Sequence, residues 1–133
     1  MTPGAMRVIR GCAIFDLALT GLLALPPAAS AFIDVLYLLE GWLGGASVAP
    51  PFAPVQWMFV HLAGALGVLW ASARLLAPTR LLGLADAAGR AWVGGLILWH
   101  VVANGAPVVL LAFVLTEWLG AALQWFVLRR AAP

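Results

Sequence analysis

The chain has 133 residues, 65% of them hydrophobic and only 9% charged, with a mean hydropathy of +1.06. A soluble domain of this size carries roughly a quarter charged residues, so the expected solvent is lipid, and four spans of about 20 residues each would leave no length for a soluble catalytic domain. The net charge of +2 comes from Arg without any Lys, and the arginines stand singly or in pairs at the ends of apolar runs, a distribution that excludes a nucleic-acid-binding face.

The first apolar segment, residues 8–25, follows Arg7 and Arg10 and stops at Pro26-Pro27, which cannot continue a helix. Together with Ala29-Ser30-Ala31 this run imitates a secretory signal and its cleavage site, but Asp16 inside the run favours retention as a first helix. Residues 32–43 are amphipathic, with Phe32, Leu36, Leu39 and Leu43 on one face and Asp34, Tyr37 and Gly41 on another. Too short and too polar to span, this segment is expected to lie at the membrane interface and to lead into an irregular Pro-rich loop. The second span is residues 57–77, closed by Pro78, and the third is residues 81–103, closed by the turn Asn104-Gly105-Ala106-Pro107. The fourth is residues 107–128, with Pro107 in its first turn and Arg129-Arg130 after its end. The expected fold class is all-α: one membrane-embedded, up-down four-helix bundle over residues 1–133, with an interfacial helix between the first two spans.

Orientation follows from the arginines. Arg7, Arg10, Arg74, Arg80, Arg129 and Arg130 fall on one side if the spans alternate, and the loops at 28–56 and 104–106 carry none. That asymmetry places both termini in the cytoplasm, of a bacterial inner membrane. Trp42, Trp57 and Trp99 then fall near the outer interface and Trp125 near the inner one.

Ionisable groups inside a span cost at least ~2.5–3.5 kcal/mol each, so they turn inward and pair. At ~1.5 Å per residue from the cytoplasmic ends, Asp16 lies about 12 Å deep, Arg90 about 14 Å and Glu117 about 17 Å. These three are expected to form a buried charge cluster, which Asp86, one turn from Arg90 and nearer the interface, is placed to share. Cys12 and Thr20 share the face of Asp16, and Gln124 shares that of Glu117. Such a cluster serves either as a proton or anion site or as an ion pair that fixes helix order. His61 and His100 fall near the outer face at similar depth, where two imidazoles could clamp a haem or a metal. The competing expectation for both is a hydrogen bond to backbone or to Asn104. The single cysteine, Cys12, excludes an internal disulfide and a Cys-paired metal site. Trp70, Trp92 and Trp118 lie deeper than the interfacial tryptophans and either fill the bundle or line a quinone-sized cavity.

An Arg-led first helix, the outer loop Pro50-Pro51-Phe52-Ala53-Pro54, the run His61-Leu62-Ala63-Gly64-Ala65-Leu66-Gly67 and a short Arg-containing loop form a recognisable plan. It resembles the small four-helix membrane proteins of the DoxX-like and BphX-like kind. The resemblance implies an accessory role beside a redox or catabolic system and carries over no catalytic residue. Length, helix count and an acid in the first helix, Asp16, also look similar to the small multidrug resistance transporters. The chain departs from them in its long first loop and in Arg90 and Glu117.

The leading functional expectation is a non-enzymatic accessory or structural membrane subunit, because no nucleotide loop, metal-ligand set or catalytic triad is present. One alternative is a small proton-coupled transporter or channel that works as an oligomer through Asp16 and Glu117. The other is a haem- or quinone-binding redox protein using His61 and His100. The sequence specifies no cofactor. The expected partners are the lipid bilayer and either further copies of the chain or a larger membrane complex, with no nucleic acid.

Overall fold

The computed structural model describes residues 1–130, and within them the chain forms five α-helices and no strand. Helix α1 is Pro3–Ala24. Its start is set by Thr2, whose hydroxyl accepts from the Ala5 amide at 3.2 Å, and by Pro3 in the first turn, where a missing N–H costs nothing. Its end is set by Pro26, which forces the preceding residue out of the helical region; Leu25 sits at φ −107°, ψ 116°.

Pro26-Pro27 then open α2, Pro26–Trp42, instead of separating two elements by a loop. The amphipathic pattern in the sequence starts only at residue 32. The structure begins the helix at the prolines, because both fit the first helical turn. The axes of α1 and α2 meet at 106°, so α2 turns sharply across one end of the molecule. It stops in a Schellman motif: the Gly45 amide bonds the Glu40 carbonyl at 2.9 Å and the Gly44 amide bonds Gly41 at 3.1 Å, with Gly44 left-handed at φ 82°.

Helix α3, Pro54–Leu76, has Pro54 in its first turn and Gln56 reaching back to the Ala53 amide at 2.7 Å. Helix α4, Arg80–Asn104, is capped by Thr79, which accepts from Leu82 at 3.2 Å, and ends at left-handed Gly105. The last segment departs from expectation. Pro107 precedes a single 3-10 turn, Val108–Leu110, and α5 begins only at Leu111, running to Arg130. The cause is tertiary, since the Val109 amide is drawn to the carboxylate of Glu40 on α2.

Two antiparallel pairs make the body of the fold, α1 along α3 and α4 along α5. The first pair closes tightly at Gly64: a Cβ there would lie 2.3 Å from the backbone nitrogen of Ala24, so nothing larger than hydrogen fits. The pairs join through α1 and α5, where Ala5, Ile9 and Leu128 form a fully buried apolar plug with Leu84 and Val127 against it. Elsewhere the usual distribution is inverted. Arg74, Gln124 and Glu40 are among the largest fully buried side chains, while Leu66, Leu69, Trp92 and Val102 are exposed. α3, α4 and residues 108–130 are long and apolar enough to cross a membrane, and α1 with α2 qualifies as one bent pair.

Candidate functional site

The buried charges meet where the two helix pairs face each other. On α4, Asp86 and Arg90 are one turn apart and both point inward; on α3, Trp70 and Arg74 do the same. Helix α1 supplies Asp16, and α5 supplies Glu117 and, two turns on, Gln124.

Asp86 is the centre. Its Oδ1 accepts from the Trp70 indole at 2.7 Å. Its Oδ2 accepts from the Arg74 Nη1, from Arg90 Nε at 3.0 Å and from Gln124 Nε2 at 2.7 Å. Arg74 bonds Asp16 through Nη2 at 2.6 Å and its own helix at the Trp70 carbonyl at 3.4 Å, and its guanidinium carbon stands 5.6 Å from the Trp70 ring centroid. Arg90 donates to both oxygens of Asp16, to Glu117 at 3.3 Å and to the Cys12 carbonyl at 3.4 Å. Gly120 makes room for it, since a Cβ there would lie 3.0 Å from the Arg90 Nη1. Every nitrogen of both guanidiniums thus has an acceptor, which leaves neither arginine with a donor fork free for an external anion.

Two of these ion pairs, Arg74–Asp86 and Arg90–Asp16, cross from one helix pair to the other. The network is therefore a clamp between two hairpin-like units whose apolar contact is confined largely to the plug at one end. Arg74 and Asp86 are almost wholly removed from the surface, at 0% and 4% exposure. Asp16 and Glu117 are less so, each with 17% of the side chain exposed, and all four line a cavity of about 250 Å³ together with Thr20, Gly67, Gly89 and Val93. Arg90 borders this cavity and also a second of about 250 Å³, lined by Cys12, Phe15 and Thr116.

Of the residues singled out in the sequence, the structure brings together Asp16, Asp86, Arg90 and Glu117. It corrects one placement: Asp86, expected near the interface at the edge of the cluster, is buried within it with four polar partners, as many as Arg90. Arg74, read only as an orientation marker, belongs to the network as well. Two signals pointed to it, its spacing of four from Trp70 and the need for more positive charge than Arg90 alone could supply to three inward acids.

The histidines do not share partners. His61 Nδ1 lies 3.0 Å from the Leu23 carbonyl, its ring stacks on Trp57 at 5.8 Å, and it borders a cavity of about 330 Å³ with Pro26 and Ser30. His100 is exposed and holds Asn104 at 3.0 Å. Among the described residues no group of three or more His, Cys, Asp and Glu is arranged to hold a metal ion. Trp70 joins the network, whereas Trp92 is 71% exposed and the Trp118 indole reaches the Ala91 carbonyl at 3.4 Å from a partly exposed position.

Sequence reasoning missed Glu40 altogether. It is 1% exposed, and its carboxylate takes the Val109 amide at 2.8 Å and the Ser47 hydroxyl at 3.4 Å. It thereby fastens the end of α2 to the start of the last helix, where Phe32 also stacks edge-on to Phe113 at 6.3 Å. Glu40→Leu is expected to lower stability in detergent by ~1–3 kcal/mol, the range for stranding a buried donor. Glu40→Gln keeps an acceptor oxygen and should lose clearly less. Equal melting temperatures for the two variants would show that the carboxyl group does not hold Val109.

No protein-family model matches the chain, and no curated protein or solved structure is significantly similar to it.

Proposed function

We propose that this chain is an integral membrane protein that serves as a non-enzymatic structural or accessory subunit, with its ion network locking two helix pairs inside the bilayer. The observation that carries the reading is the inverted burial: a charged interior built on Asp86, Arg74 and Arg90, under a surface of exposed Leu, Val, Phe and Trp. In water that surface would aggregate, whereas in hydrocarbon it is the stable arrangement. Because every guanidinium nitrogen is bonded within the protein, the network is suited to holding helices together.

In this reading α3, α4 and α5 with its 3-10 turn span the membrane, α1 spans as well, and α2 lies along the outer interface. Arg74 is withdrawn into the interior and no longer counts towards orientation. Arg7, Arg10, Arg80, Arg129 and Arg130 still gather at one end, and loops 43–53 and 105–107 still carry none, which favours cytoplasmic termini in a bacterial inner membrane. Further copies of the chain or a larger membrane complex would be its partners.

The test combines fractionation with labelling. The protein should stay in the membrane pellet through an alkaline carbonate wash. In a Cys12→Ser background, Ser47→Cys should react with an impermeant maleimide in intact cells, and Ala131→Cys, just beyond the described residues, only after permeabilisation. Release by carbonate would defeat the embedding, and the reversed labelling pattern would defeat the orientation.

A further inference from the structure

The network does not balance. Three carboxylates, Asp16, Asp86 and Glu117, face two guanidiniums, Arg74 and Arg90, which leaves one negative charge over when all five are ionised. The carboxylates are not equivalent. Asp86 accepts four hydrogen bonds and Asp16 is held by both arginines. All three line the cavity of about 250 Å³, but among the described residues Glu117 makes one ion pair only, at 3.3 Å through Oε2.

A second shortfall lies in the same network. Gln124 is fully buried and donates its amide nitrogen to Asp86, but its Oε1 has no hydrogen-bond partner among the described residues. The cluster is thus short of positive charge at one place and short of a hydrogen at another. An uncompensated charge in a water-poor interior costs several kcal/mol and is ordinarily removed by neutralisation. The cavity extends from Arg74 and Asp86 towards Thr20, Gly67 and Val93, away from the apolar plug of Ala5, Ile9 and Leu128.

We infer that this network is a proton-binding site that takes up one proton per chain, carried on the carboxyl group of Glu117. The proton adds to a Glu117 oxygen to give a neutral carboxylic acid, and the cluster passes from a net charge of −1 to zero. The ionisable groups that face Glu117 are Asp86 and Arg90 from α4, Asp16 from α1 and Arg74 from α3; Cys12 on α1 lies on the far side of Arg90. The inference rests on the bilayer embedding proposed above, because low polarity around the cluster is what makes a spare charge expensive.

Charge balance makes a prediction that a merely convenient buried acid would not. Neutralising any other acid of the network should ionise Glu117, since two carboxylates then match two guanidiniums. The experiment is infrared spectroscopy of the full chain in lipid nanodiscs at neutral pH, comparing wild type with Glu117→Gln, Asp16→Asn and Glu40→Gln. Wild type should show the carbonyl stretch of a protonated carboxylic acid, lost in Glu117→Gln and also in Asp16→Asn, and kept in Glu40→Gln. Absence of that band in wild type, or its survival in either network variant, would overturn the proposal. Should Glu117→Gln fail to fold, as read by its helical circular dichroism, Asp16→Asn decides. Carbonate extraction tests the embedding without reference to any carboxyl band, so failure of that reading and failure of this one are told apart.

Discussion

Asp86→Leu is expected to be the most damaging single substitution in this protein, with a loss of ~3–5 kcal/mol, the range for breaking a buried ion pair from one side. The change strands the Nη1 of Arg74 and the Nε of Arg90, together with the indole of Trp70 and the amide of Gln124, all of which end on this one carboxylate. It also removes one of the two ion pairs that cross between the helix pairs. Asp86→Asn should fall between the two, because an amide oxygen can still accept from Trp70 but no longer offsets a guanidinium. Thermal unfolding in mild detergent, followed by tryptophan fluorescence, measures this directly. A melting temperature for Asp86→Leu within a degree or so of wild type would remove Asp86 from the centre of the network. The outcome also separates the structure from the sequence, since depth counting along a straight helix makes Asp86 an interfacial residue whose loss matters little.

Arg90→Leu should cost a comparable amount, and the way it is rescued is the informative part. Arg90 pairs with Asp16, Asp86 and Glu117, so its removal leaves three carboxylates around Arg74 alone. With Glu117 protonated, as inferred from the unbalanced network, Asp16 and Asp86 then stand against one guanidinium, a single negative charge in excess. Adding Asp16→Asn leaves Arg74 and Asp86 as a neutral pair and should recover most of the loss, and adding Glu117→Gln as well should bring little more. This ordering of single, double and triple variants follows from charge count and not from volume, since the two acid substitutions are isosteric. Only partial recovery in the Arg90→Leu, Asp16→Asn double variant, completed by Glu117→Gln in the triple, would show that Glu117 is charged in the folded protein and would contradict the protonated state.

Much of this architecture can be read from the sequence because its causes are local. Pro26, Pro54, Pro78, Thr79 and Gly105 mark helix limits through their own φ preferences, missing N–H groups or caps, and these act wherever the chain runs. The grouping of Asp16, Arg90 and Glu117 at one level was also legible, because ionisable groups in apolar helices have few places to go.

What needed the tertiary structure was every feature that depends on reach or direction. An Arg in the last turn of a helix can extend to the membrane surface or fold back inward, and only the position of Asp16 and Asp86 on neighbouring helices turns Arg74 inward. The angle between α1 and α2 is set by packing on either side of Leu25, so two prolines announce a break but not a bend of 106°. Glu40 sits in an amphipathic stretch that reads as interfacial, and nothing local to it points 69 positions along the chain to the amide of Val109. Composition and periodicity determined that this protein is helical with charges turned inward; which charges meet, and which acid is left over, was decided by how two helix pairs close on one another, because ion pairing depends on distances between helices that no single helix contains.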